Sequence, residues 1–191
     1  LNDMKSLIHI LPTNVRVATL MGRYYAMDRD SRWDRTQRAY EAIVNGVGKI
    51  YSDPLKAIKD SHDNGVTDEF IEPVIFDQYE GIKGKHDSLI FCNYRADRAR
   101  QILHALTDQN FVGFLRPKGK IFTNAVGMIE YDSSFKQKFS ILFGREEIKN
   151  SLGEWVSLEG LKQFRIAETE KYPHITYFLN GGSEKEYAGE E

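Results

Sequence analysis

A single cysteine stands among the 191 residues, so no disulfide can form within the chain. That excludes a disulfide scaffold and points to a reducing compartment. Cys92 lies in the apolar run "SLIFCNY", where it reads as core filler. No uninterrupted apolar stretch approaches the roughly 20 residues a membrane span needs. The opening "LNDMKSLIHILPT" has neither the charge layout nor the cleavage site of a secretory signal. The expectation is a soluble, cytoplasmic protein without a membrane partner. Excess positive charge is also lacking: 26 Lys and Arg face 28 Asp and Glu, a formal net charge of -2. Such a balance cannot neutralise a polyphosphate backbone, which argues against nucleic acid as a partner. Absent too are G-x-x-x-x-G-K-[ST], G-x-G-x-x-G after a strand, C-x-x-C and G-x-S-x-G. No complete catalytic machine is legible. The chain opens on Leu1 without an initiator Met and closes on the polar tail "GGSEKEYAGEE" after an apparent strand, which suits a piece of something longer.

What is present is a 41% apolar chain able to build a core. "VRVATLMG", Val15 to Gly22, alternates and reads as a strand. Trp33, Gln37, Tyr40, Ile43 and Val44 then recur at helical spacing, predicting a helix from Ser31 to Asn45 that stops at Gly46. "SDPLKAIKDSHDNG" has a capping residue and Pro in its first turn, a helix start. "FIEPVIF" and "SLIFCNY" read as strands joined by the hairpin-like loop "DQYEGIKGKHD". "RADRARQILHALTDQ" is a helix with Ala99, Ile102, Leu103 and Leu106 on one face, and "GKIFTNAVGMIEY" a further strand. From Phe143 the pattern becomes helix, strand, helix, with the charged "GREEIKN" as linker. The expected class is α/β, a mixed sheet flanked by helices, with domains at 1–143 and 144–191.

The chemistry gathers at two strand-to-helix junctions. In "FCNYRADRAR", Arg95 and Arg98 straddle a helix start, with Asp97 placed to cap. Cations there oppose the helix dipole at a cost of roughly 0.3–1 kcal/mol each. A phosphate or carboxylate at the helix start would turn the conflict into a binding site. Pairing with surface aspartates is the other reading. "MGRYYAMDRDSRWDRTQRAY" repeats the arrangement, with Arg23 and Arg29 ahead of a helix. Asp34 and Arg38 within that helix read as a surface ion pair, with Arg35 as solvated structure beside them and Arg32 as a candidate for the same group. Four arginines could clamp one small polyanion. Glu168, Glu170, Lys171 and His174 match no zinc or calcium pattern, so no metal site is expected from them, and His174 reads as structural. His9, His62, His86 and His104 are scattered.

"GRYYAMDRDSRWDR", "NYRADRA" and "RIAETEKYPHITYFLNGG", in that order, resemble the cofactor-independent (2,3-bisphosphoglycerate-independent) phosphoglycerate mutases, with "GMIEYD" and "NSLGEW" as weaker matches. The resemblance implies an alkaline phosphatase superfamily enzyme of glycolysis and gluconeogenesis, in which a transferase domain is inserted into a phosphatase domain. That phosphatase domain holds two metal ions, usually manganese, and a serine nucleophile, and the full-length enzyme is expected to be a monomer needing no bisphosphoglycerate. It implies that Arg23, Arg29, Arg95 and Arg98 hold the carboxylate and phosphate of 3-phosphoglycerate or 2-phosphoglycerate, and that Lys171 reaches the transferring phosphate from the phosphatase side. The nucleophilic serine segment, the first part of the transferase domain with its substrate-contacting histidine and its aspartate pair, and the metal-ligating Asp- and His-rich region have no counterpart here. The chain then reads as an internal fragment, partial transferase to 143 and partial phosphatase from 144, with no catalytic residue or metal ligand of its own and inactive without the remainder of its phosphatase domain. A free-standing phosphometabolite-binding module is the alternative, requiring 144–191 to share one core with the rest.

Overall fold

The helix predicted after the arginine-rich stretch begins where Ser31 takes a left-handed turn, φ 57°, and sets the chain on its axis. The computed structural model describes all residues except 78, 84–86, 117–121, 123, 136–138, 145–147 and 184. The chain divides into two compact units, Leu1–Gly144 and Arg145–Glu191. The presumed linker lies partly outside the described residues, as does His86.

In the first unit α1 is Asn2–Ile10, α2 the single turn Arg23–Ala26, and α3 Trp33–Tyr40. The last continues as one π-helical turn, Glu41–Asn45, and stops at Gly46 with φ 64°, as its sequence predicts. In α4, Pro54–Asp63, the Asp53 side chain accepts a hydrogen bond from Leu55 N and Pro occupies the first turn. The twelve-residue α5, Ala96–Thr107, is the centre of the unit. One flank packs Ile102, Ala105 and Leu106 against Tyr25, Ala39, Tyr40 and Val44. The other packs Ala99 and Leu103 against Ala125, Tyr131, Phe135 and Phe139. A helix covered on both sides is held by burial more than by its own propensity.

The α/β class stands, but the described strands form two small sheets instead of one. The first is mixed, ordered β1-β3-β2, with Thr19–Leu20 antiparallel and Lys49–Tyr51 parallel to the central, fully buried Val74–Phe76. The expected strand from Val15 to Gly22 shrinks to two residues, Thr19 and Leu20, which pair with Ile75 and Val74 of that short central strand, while Ala18 O accepts from Phe76 N at 3.0 Å just outside it. The second sheet is parallel, β4-β5-β6, from Ser88–Phe91, Asn124–Gly127 and Ser140–Ile141.

This corrects the hairpin expected between "FIEPVIF" and "SLIFCNY": β3 and β4 belong to different sheets. Parallel pairing of β4 with β5 needs a crossover, and α5 supplies it. In the connecting loop Gly81 serves a close approach instead. Gly81, φ 82°, lies so near the end of the α3 extension that a Cβ would sit 2.2 Å from Val44 O. Ile82 N donates to Val44 O at 2.9 Å, and Tyr79 Oη donates to Ile43 O at 2.5 Å. Cys92, expected in the core, is exposed, because the two-residue alternation that turns Leu89 and Phe91 inward turns Ile90 and Cys92 outward.

In the second unit Ser151 Oγ accepts from Glu154 N, while the Glu154 carboxylate accepts from Asn150 N at 2.6 Å, fixing the start of α6, Leu152–Leu158. The strand expected after it is only an extended segment with one isolated parallel bridge, Gln163 to Glu190. Its backbone bonds go to the chain's own last residues: Gln163 N to Gly189 O and Arg165 N to Glu191 O, both 2.8 Å. "HITYF", which looked like a strand before the tail, is a π-helical turn, His174–Phe178. Arg165 is the polar centre of this unit, donating to Ile175 O and Asn180 Oδ1 at 2.9 Å and pairing with the equally buried Glu190 at 3.0 Å.

Candidate functional site

At the first junction Gly22 is where β1 gives way to α2. Its amide donates to Ile71 O at 2.8 Å, and a Cβ there would lie 2.1 Å from Glu69 O, so only glycine fits. This approach brings Arg23, the first residue of α2, to Glu69, 2.8 Å away, with the arginine side chain 50% exposed.

The second junction is built more tightly. Tyr131, 1% exposed, donates its hydroxyl to Asn93 O at 2.6 Å or Phe91 O at 2.9 Å and accepts from Met128 N, pinning the end of β4. Burial is the main reason its phenol titrates above the usual range. Asn93 Oδ1 accepts from Arg95 N at 2.7 Å. The amide of the residue flanking α5 is thereby satisfied by asparagine, not by Asp97 as expected. Asp97 instead takes two arginines: Arg29 Nη1 at 2.7 Å, and Arg95 through Nη2 at 3.2 Å and Nε at 3.4 Å. Arg29 and Asp97 are each 17% exposed. Burial pushes the Asp97 carboxyl up, but hydrogen bonds from Arg95 and Arg29 outweigh it and hold the group below the usual carboxylate range. Arg98, one residue on, donates Nη1 to Met27 O at 3.2 Å, and its Nε is buried with no hydrogen-bond partner.

Arg29, Arg95 and Arg98 are therefore interleaved: the loop after α2 reaches α5 through Arg29, and α5 reaches back through Arg98. Among the described residues no hydrogen bond or ion pair joins Arg23 to this group. Lys171 belongs to the second unit, in a single 3-10 turn, Thr169–Lys171, where Glu168 2.9 Å away raises its pKa. Among the described residues no three His, Cys, Asp or Glu side chains are placed to hold a metal ion.

The sequence reading missed the group under the clamp. Asp28, 4% exposed, accepts from Asp30 N at 3.1 Å, Arg32 N at 2.9 Å and Gln101 Nε2 at 2.9 Å. Burial raises its pKa and these hydrogen bonds, with the Arg32 charge, more than reverse the effect. Asp28 also draws Arg32 and Arg35 to its other oxygen, at 3.5 and 3.6 Å. Arg32 and Arg38 are half exposed, as solvated helix residues should be, though Arg38 pairs with Glu72 at 3.0 Å in place of Asp34; Arg35 departs from that expectation and stacks 3.7 Å over Tyr24. An aspartate two residues before a turn and four before an arginine was the available signal.

Residues 1–133 match the family model described as the BPG-independent PGAM N-terminus. This chain belongs to the 2,3-bisphosphoglycerate-independent phosphoglycerate mutase family. A curated relative of that name from Agrobacterium fabrum (strain C58 / ATCC 33970) is 47% identical over 186 residues, covering 97% of this chain and 36% of that protein. One from Rhodopseudomonas palustris (strain ATCC BAA-98 / CGA009) is 45% identical over 190 residues, covering 100% of this chain and 38% of the relative. The chain thus spans little more than a third of the mutases it matches. A solved Leishmania mexicana phosphoglycerate mutase, crystallised at low cobalt concentration, superposes with a TM-score of 0.74 at 26% identity, covering 100% of this chain and 37% of that one.

Proposed function

We propose that this chain is the substrate-positioning part of a phosphoglycerate mutase that interconverts 3-phosphoglycerate and 2-phosphoglycerate. The observation that carries the reading is the convergence of Arg29, Arg95 and Arg98, from two different junctions, on the start of α5 in a chain whose residues 1–133 match the mutase family. Asp97 engages one nitrogen of Arg29 and two of Arg95, and a guanidinium carries five N–H donors, so both forks keep donors for a ligand. A phosphate or carboxylate arriving at the start of α5 would meet these donors and the positive end of the helix dipole together. Arg98, with its orphaned Nε, adds to the same turn, and Arg23 contributes from the start of α2.

Phosphoryl transfer through a phosphoserine depends chiefly on positioning and charge neutralisation, and those are what this chain's residues would supply. The serine, the two metal ions, manganese by family resemblance, and the remaining phosphatase-type residues belong to the rest of a longer protein. Residues 144–191 would be the start of its returning phosphatase domain in the alkaline phosphatase superfamily, with Lys171 contacting the transferring phosphate. The setting is cytoplasmic glycolysis and gluconeogenesis, and the full-length protein acts as a monomer. The division into two compact units supports this reading over a one-core binding module.

The test is turnover of 3-phosphoglycerate by the full-length protein. Arg95→Ala is expected to cost about 10- to 100-fold in kcat/KM, the worth of charge-assisted hydrogen bonds of about 1.5–3 kcal/mol. Arg23→Ala should also lower it. Unchanged turnover in both variants would refute the assignment.

A further inference from the structure

We infer that Gln101 is a positioning residue that sets Arg29 for anion binding by clasping the 28–32 turn to α5. The inference rests on the proposed role of Arg29. Gln101 is 6% exposed, and each of its amide atoms is engaged. Its Oε1 accepts from Ser31 N at 2.9 Å, and its Nε2 donates to Asp28 Oδ2 at 2.9 Å and Thr36 Oγ1 at 2.5 Å. An N–H donor on one side and a carboxylate on the other allow only this orientation of the amide.

Three features converge on the turn. Ser31 holds φ 57°, a region a serine enters only when its surroundings over-determine it, and the Gln101 oxygen is bonded to that residue's amide. Asp28 closes the same turn from within, through Asp30 N and Arg32 N, and is itself fixed by Gln101. Arg29 follows Asp28 directly, and its guanidinium reaches Asp97, one helical turn before Gln101 on α5. The backbone of Arg29 and its carboxylate partner are therefore referenced to the same helix through a buried amide. A phosphate-binding fork misplaced by an ångström loses much of its effect, so the clasp acts on ligand affinity through Arg29.

A double-mutant cycle in the full-length protein tests this. Gln101→Met keeps the side chain's length and removes all three bonds. It is expected to raise the KM for 3-phosphoglycerate about tenfold with a smaller change in kcat, and to add less than about twofold when Arg29→Ala is already present. A loss of stability alone would lower the apparent kcat and leave KM unchanged. An equal fold increase of KM in both backgrounds, as an effect independent of Arg29 would give, overturns the inference. So does an unchanged KM in Gln101→Met when Arg29→Ala raises it. If Arg29→Ala alone leaves KM unchanged, the site reading falls instead, and the clasp with it. Should Gln101→Met not fold, Gln101→Leu, uncharged and likewise unable to make the three bonds, takes its place in the same cycle with the same outcomes.

Discussion

Arg23 with Glu69 and Arg29 with Asp97 are both arginine–carboxylate pairs at strand-to-helix junctions, yet they are built differently. The first pair is 50% and 40% exposed, and its arginine sits on a one-turn helix. The second is 17% and 17% exposed, shares its carboxylate with Arg95, and lies above the Asp28–Gln101 network. Exposed pairs are screened and lose side-chain entropy on forming, so Arg23 can swing to a ligand at little cost. The Asp97 group is held in place before any ligand arrives, and its carboxylate stands where a ligand's negative charge would be useful. In the proposed site one junction would supply reach and the other a fixed reference.

The sharpest way to break the comparison is Asp97→Asn. Arg29 and Arg95 would then face each other without their shared counter-charge, at a cost of about 1–3 kcal/mol in unfolding free energy in anion-free buffer. Inorganic phosphate should restore more stability to this variant than to the wild type, because it replaces the missing negative charge. Denaturant unfolding with and without phosphate reads both effects. Equal phosphate responses in the two proteins would mean that no anion enters the clamp.

Much of this difference could be read before the fold was known, and part of it could not. The two arginine pairs at 23/29 and 95/98 are local patterns: a strand's end, a cation, a helix start. The face of α5 formed by Ala99, Ile102, Leu103 and Leu106 is local as well, and all four residues are buried. The partner of each charge is not local. Arg29 finds Asp97 68 positions away, and Gln101 finds Asp28 73 positions away. Arg38 passes over Asp34, four residues off, for Glu72. Sheet membership failed for the same reason: the loop between β3 and β4 carries turn residues, but what they satisfy is the end of α3, which only tertiary packing reveals.

Acid distinguishes the junctions by a smaller margin. Burial pushes the Asp97 and Asp28 carboxyls upward, yet both titrate below the usual carboxylate range, because hydrogen bonds from arginine, glutamine and backbone donors favour their charged forms. A lowered folded-state pKa gives stability that is complete above the unfolded value and lost as pH falls through the folded one. The clamp should therefore hold from neutrality down to about pH 4 and weaken below it. Unfolding free energy measured across this range should fall more steeply for the wild type than for Asp97→Asn, which has one fewer group to protonate. Parallel profiles would show that Asp97 gains nothing from its two arginines.

Glu69→Gln probes the exposed junction, and the smallest effect is expected there. The pair is worth about 0–1 kcal/mol at most, since water competes for both side chains and salt screens what remains. Stability should be nearly unchanged, and the little that is lost should vanish in high salt. Anion affinity should move the other way: freed of a competing carboxylate, Arg23 should bind phosphate slightly more tightly, a change of about twofold in the KM for 3-phosphoglycerate. If Glu69→Gln instead destabilised the protein as much as Asp97→Asn, exposure would not be what separates the junctions. The close backbone approach of Gly22 to Glu69 would then be the stronger constraint, and Arg23 would be as firmly placed as Arg29.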